Sequence, residues 1–196
     1  LVASSDIQFI QRTMDVSQFD SWDTTSIDVA ATVQQTVANA GVLEIVHPKN
    51  QYSPVYLWLI DQSESGSHQL AWMDYLLTIL QNNGLKVERY YFNYDPSSVW
   101  QTDIRDAVPL PTIYSNQRLL ILSNADIMVN ATAGRVNEWL VDLMADWSQK
   151  AIITTRPVED WGYEEKLLSD HFVVAPATID GLLASVRQFD ELVEND

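Results

Sequence analysis

Apolar residues fall along this chain in short unbroken runs, and the stretches between the runs repeat with helical spacing. The run Val55 to Ile60 holds six consecutive apolar residues and reads as a strand buried on both faces. Val87 to Phe92, Leu119 to Leu122, Ala151 to Thr154 and Phe172 to Val174 read as four more strands. A helix over His68 to Asn83 places Leu70, Met73, Leu76, Leu77 and Leu80 on one face, with Gly84 as its stop. A second, Arg135 to Trp147, sets Val136, Trp139, Leu140, Leu143, Met144 and Trp147 on a common side. A closing helix over Ile179 to Val193 turns Leu182, Leu183, Val186, Phe189 and Val193 inward behind Thr178 as N-cap. Strands alternating with helices predict right-handed βαβ crossovers, hence a three-layer α/β/α sandwich with a mainly parallel five-stranded sheet. The expected order, counting from Val55, is 2-1-3-4-5.

The flanks are less regular. Residues 1–46 read as an N-terminal helical accessory segment and 47–196 as the α/β domain. Ser5 can cap a short helix through Asp6 to Ile10, and Ser26 and Gly41 can bracket a helix from Ile27 to Ala40 with Val29, Val33 and Val37 on its apolar stripe. Residues 93–118, with Pro96, Pro109 and Pro111, leave room for at most a short helix near Ser98 to Ala107. So long a connection inside a compact domain is either functional or an irregular crossover, and it would border the binding crevice.

Composition narrows the function classes. The 196 residues, 46% of them apolar and seven of them Trp, are enough for one domain with a substantial core. Eleven basic against 27 acidic residues give a formal charge of −16, which repels phosphate backbones and anionic membranes, so neither nucleic acid nor membrane is expected as a partner. Cysteine is absent, which removes disulfides and thiolate chemistry and points to the cytoplasm. No apolar run is long enough to span a bilayer. Opening on Leu1, the chain reads as a piece of a larger polypeptide.

In a doubly wound sheet of this order the chemistry belongs at the C-terminal strand ends, where the loops Asp61 to Ser67 and Ser123 to Asn130 would face each other. Asp61, Ser63, Ser65, Asn124 and Asp126 supply hard oxygen donors of the kind Mg²⁺ or Ca²⁺ prefers. Asp61, Ser63, Ser65 and Asp126 are the candidate metal ligands; Asp95, Asn124 and Trp161 are candidates for contact with a partner. A plainer set of roles fits the same residues: Asp61 ends a strand, Ser65 or Ser67 caps the helix at His68, and Asp126 sits in a loop. The two readings separate on Asp61→Ala, which should spare the unfolding temperature if Asp61 serves recognition and lower it if Asp61 is structural.

Other constellations are poorer. His47, His68 and His171 are the only histidines and lack ligand spacing. Gly-x-Ser-x-Gly is missing, so Ser63 or Ser65 with His68 does not form a nucleophile elbow. Neither phosphate-cradling glycine loop is present among the six glycines. A receiver-type phosphoacceptor role for Asp61 would want a Lys at the same sheet end, whereas Lys150 precedes its strand. Trp139 and Trp147, at helical spacing, are expected in the core. Trp161-Gly162-Tyr163, after the fourth strand, is either a partner-binding surface or an aromatic plug over the sheet.

Asp61-x-Ser63-x-Ser65, the acidic turn Ser123-Asn124-Ala125-Asp126 and the closing His171 to Leu183 segment resemble a von Willebrand factor A domain. The resemblance implies a Rossmann-like sandwich in which Asp61, Ser63 and Ser65 bind Mg²⁺ directly or through water, with a partner's carboxylate completing the shell. Over residues 27–193, Ile27 to Val33, Tyr56 to Asp61, Val87 to Pro96, Arg118 to Leu122, Trp161 to Glu165 and Phe172 to Thr178 also resemble an A-domain-like module of large bacterial multidomain proteins. The function this implies is a protein-interaction or sensing module that binds a protein partner, or neighbouring domains of the same polypeptide, at the sheet's C-terminal rim, with Mg²⁺ optional. The alternative is a metal-assisted hydrolase, or an inactive relative of one, using the same acidic rim.

Overall fold

In the computed structural model, residues 4–15, 18–20, 29–46, 50–52, 54–63, 67–102, 104–110, 115–130 and 132–194 are described. The chain divides into two compact units, 16–53 and a body made of 1–15 and 54–196. Helix α1 (Ser4–Met14) belongs to the body, where Ile10 and Met14 are fully buried. The other unit contains strand β1 (Gln18–Asp20), helix α2 (Val29–Ala38) and strand β2 (Asn50–Tyr52), with β1 and β2 antiparallel. Inside it, Thr32 fastens the helix to the following segment: its hydroxyl accepts from the Val46 N–H at 2.9 Å.

The body resumes with strand β3 (Tyr56–Asp61), helix α3 (His68–Asn82) and strand β4 (Val87–Phe92). Strands β5 (Ser98–Gln101), β6 (Ile104–Pro109) and β7 (Arg118–Ser123) follow. A small hairpin of β8 (Val129–Asn130) and β9 (Arg135–Val136) leads to helix α4 (Glu138–Leu143). Strand β10 (Lys150–Thr154), helix α5 (Tyr163–Leu168), strand β11 (Val173–Pro176) and helix α6 (Ile179–Glu194) complete the chain.

The main sheet has seven strands in the order β11-β10-β7-β3-β4-β5-β6. The five strands from β11 to β4 are parallel, and β5 and β6 extend the β4 edge antiparallel. Strand count and overall order therefore differ from the five-stranded expectation. The difference arises in residues 98–109, where two strands stand in place of a short helix. Val99 is buried while Ser98 is exposed, and β-branched and aromatic residues on alternating faces favour a pleated edge over a helix.

Strands β3 and β7 are buried along their whole length because each is covered on both faces. On one side Tyr56, Trp58, Ile60, Leu120, Leu122 and Ile153 meet Leu76 and Leu80 of α3 and Leu182, Val186 and Phe189 of α6. On the other, Leu57, Leu59, Ile121 and Ile152 meet Leu140, Met144, Trp147 and Leu168. That second layer is thinner than the pattern 135–147 suggests. Arg135–Val136 is a strand, α4 stops at Leu143, and Trp139 is 40% exposed rather than in the core, whereas Trp147 is buried as expected.

One buried cation joins the layers. Arg118, 2% exposed, donates from Nη1 to the Tyr56 hydroxyl at 2.9 Å and from Nε to Gln149 Oε1 at 3.1 Å, and pairs through Nη2 with Asp190 of α6. Tyr56 in turn donates to the Met14 carbonyl at 2.8 Å, so the network reaches from sheet to α1. Burial pushes the Tyr56 hydroxyl from 10.0 up to about 12, against the downward pull of Arg118. An unfolded chain releases that proton near the ordinary tyrosine value while the folded one holds it to about 12. Stability from this group is thus intact below pH 10 and falls as pH rises through the window. In denaturant titrations, the parent protein should lose on the order of 2–3 kcal/mol more than Tyr56→Phe between pH 10 and 12. Equal slopes for the two proteins would contradict the assignment.

Candidate functional site

The parallel pairing of β3 with β7 sets the ends of those strands side by side, and the loops after them open on one edge of the sheet. Asp61 closes β3 and is 3% exposed. Its Oδ1 accepts the Ser63 N–H at 2.9 Å, and its Oδ2 accepts the Ser123 hydroxyl, at the end of β7, at 3.0 Å. Ser123 Oγ also accepts the Ala125 N–H at 3.2 Å, which starts the next turn. Asp61 is therefore a buried pin between two strand ends, each oxygen of its carboxylate already accepting one hydrogen bond. Ser67 caps α3, its hydroxyl accepting the Leu70 N–H at 3.4 Å. Ser65 lies outside the described residues, as does His47.

The turn after β7 is drawn toward the loop after β10. Asn124 and Asp126 fold the turn on itself: the Asp126 N–H donates to Asn124 Oδ1 at 3.1 Å, and the Asn124 amide donates to Asp126 Oδ2 at 3.2 Å. Asp126 Oδ1 pairs with Arg156 Nη2, and the other guanidinium nitrogen, Nη1, binds Glu164 and Glu165, the latter at 2.8 Å. Glu165 is buried and its second oxygen accepts the Gly162 N–H at 2.7 Å at the start of α5. The hydrogen bond to Glu164 and the charges of both glutamates raise the guanidinium pKa although partial burial works against them, so the cation at this corner is permanent. Trp161 donates from Nε1 to the Arg156 carbonyl at 3.1 Å and is half-buried against that loop.

Two rim turns hold non-glycine residues in the left-handed region: Tyr94 after β4, with φ 60°, and Ala125 after β7, with φ 68°. Each such residue costs on the order of 1–2 kcal/mol, a cost the surrounding contacts offset. Asp95 makes an Asx turn, its Oδ1 accepting the Ser97 N–H at 2.8 Å.

The structure thus brings Asp61 beside Ser63 and Ser123, and Asp126 beside Asn124 and Arg156; Asp95 stands in the turn after β4, two strands from β7. Sequence reasoning missed Ser123 as the partner of Asp61, and it missed Arg156 and Glu165. A signal for Arg156 was present: with 11 basic residues against 27 acidic ones, an arginine in a carboxylate-rich loop will be shared by several of them. A divalent ion of the kind the resemblance implies asks for six or more oxygens at one point. As they stand, the described residues do not fit it. Both Asp61 oxygens and the Asp126 carboxylate have resident partners, and among the described residues no group of three or more His, Asp or Glu side chains is placed to hold a metal ion. The positive charge at this corner comes from Arg156 instead.

No family model, curated protein or solved structure matches the chain. Among the described residues no helix is long and apolar enough to cross a membrane.

Removing the Asp61 carboxylate leaves the buried Ser123 hydroxyl and the partly buried Ser63 N–H without this acceptor. Asp61→Ala should cost about 1–3 kcal/mol in urea unfolding, against the small change expected of a recognition residue. An unchanged midpoint would show that Asp61 is not the pin described.

Proposed function

We propose that the domain is a non-catalytic protein-recognition module, A-domain-like in architecture, that docks a partner on the rim formed by the loop after β10 and the start of α5. The observation supporting this most directly is an exposed apolar platform: Val158 and Tyr163 are 54% and 60% exposed, before and after Trp161 in the chain. Arg156 and the Trp161 indole hold that segment in place. Tyr163 is fixed as well, its hydroxyl donating to the Gly134 carbonyl at 3.1 Å. Aromatic residues anchored by their polar ends lose little entropy on binding, which is why they dominate protein interfaces. Glu159 and Asp160 stand exposed within the platform, and the whole chain is strongly acidic, so the fitting partner is a basic segment with an apolar anchor.

In this reading Arg156 does the bridging work that the resemblance gives to Mg²⁺, and the partner meets the platform without an intervening ion. Asp61 contributes by holding the rim's foundation. The committed oxygens of Asp61 give the hydrolase alternative no support.

Peptides selected from a displayed random library on the domain should be enriched in Lys and Arg around an aliphatic or aromatic residue. Val158→Asp should weaken the recovered peptide at least tenfold while the unfolding midpoint stays put, Trp161→Ala should weaken it as much and also lower the midpoint because its indole anchors the loop, and chelation of divalent ions should leave binding unchanged. Selection without basic enrichment, binding indifferent to both substitutions, or loss of binding in EDTA would each overturn the reading.

A further inference from the structure

A second feature lies away from that platform, between α3 and the antiparallel edge of the sheet. An open cavity of about 680 Å³ is lined by Gln62, Asp74, Tyr91, Asn93, Trp100 and Thr102, with Ala107 of β6 at its wall. Its volume falls within the roughly 300–1,000 Å³ of small-ligand sites. The fold builds this wall from residues far apart in sequence. Tyr91 and Trp100 are cross-strand partners on β4 and β5, and the Gln62 N–H donates to the Phe92 carbonyl at 2.8 Å, which sets Gln62 beside Asn93.

The lining has a definite chemical character. Asp74 Oδ1 takes bonds from Arg89 Nη1 at 3.0 Å and from the Tyr91 hydroxyl at 3.3 Å, so its charge is balanced before any ligand arrives. Arg89 is itself tied down by Thr78 and Gln81. No described residue bonds Asp74 Oδ2, and the side chains of Gln62, Asn93 and Thr102 make no hydrogen bond to described residues. The cavity therefore offers an indole wall, two carboxamides that each donate and accept, a hydroxyl and a carboxylate oxygen, with no net charge. Anions are opposed by the −16 field of the chain, and the one carboxylate that could hold a cation, Asp74, is already paired with Arg89. What remains is a neutral ring with an apolar C–H face and a rim of hydroxyls, each of which gives and takes one hydrogen bond.

We propose that this cavity is a binding site for a neutral saccharide, one face resting against Trp100 and its hydroxyls bonded to Asn93, Gln62 and Asp74. The site is separate from the platform of Val158 and Trp161, so it stands or falls independently of that reading. The test is saturation-transfer NMR on the whole chain with a panel of neutral hexoses, pentoses and their disaccharides, beside adenosine and tetramethylammonium as ligands of other chemistry. At least one saccharide should receive saturation and shift the Trp100 indole signal. Trp100→Ala and Asn93→Ala should each weaken it at least tenfold, while Val158→Asp leaves it unchanged. If Trp100→Ala does not fold, Asn93→Ala and Thr102→Val, both at exposed positions, decide the matter. The proposal is overturned if no saccharide receives saturation, if only adenosine or tetramethylammonium does, or if the folded cavity variants at Trp100, Asn93 and Thr102 bind sugar as well as the parent does.

Discussion

A guanidinium buried where β7 begins is the constraint on which the body depends. Arg118 cannot reach water, so every nitrogen must find a protein partner, and the partners it finds are on β3, on the segment before β10 and on α6. Tyr56 passes the chain of bonds on to α1. The rings of Tyr56 and Phe189 lie 5.7 and 5.9 Å from the guanidinium carbon and add cation–π attraction in a dry setting. Such a centre adds little net stability over an apolar one, but removing any member strands the others, and that asymmetry enforces a single arrangement of sheet and helices.

The same two strands are locked again at their other end. Tyr56 and Arg118 pair at the start of β3 and β7, and Asp61 and Ser123 pair at the finish. Between the locks the strands are wholly apolar and buried, so nothing else in them could fix register by polar contact. Polar pins at both ends turn an apolar ladder, whose side chains are interchangeable in chemistry, into one with a unique alignment. At the finish of β7 the pin also ties down the following turn, where Ser123 accepts the N–H of Ala125 in its left-handed conformation.

Charge is distributed unevenly over this frame. Acidic residues outnumber basic ones by more than two to one, and three buried or half-buried arginines bind them inside the body: Arg89 holds Asp74, Arg118 holds Asp190, and Arg156 holds three carboxylates. Lys150 is similarly committed, donating to the Met144 carbonyl at 2.9 Å beneath the Phe172 ring, and its burial lowers its pKa. These inner basic residues are spent on cohesion, and with acid predominating over the chain as a whole a positively charged partner is the complementary one.

Much of the architecture was legible in the chain. Continuous apolar runs named the five parallel strands, helical periodicity named α3 and α6, and their alternation implied a sheet covered on both faces; all of these follow from local burial patterns with a fixed repeat. The pair β5 and β6 was not legible, because Ser98 to Pro109 mixes polar and apolar residues in runs too short to choose between helix and strand until β4 offers an unpaired edge. Nor could the sequence assign partners. It placed Asp61 and Ser123 at strand ends, but their meeting depends on β7 lying beside β3, and nothing local to Asp126 reveals that Arg156, 30 residues later, pairs with that carboxylate. The chain by itself determined which segments must be buried, since burial is a property of each residue's own side chain. Only the tertiary structure decided which polar groups neutralise one another, because electrostatic and hydrogen-bond energies depend on distances that long crossovers set.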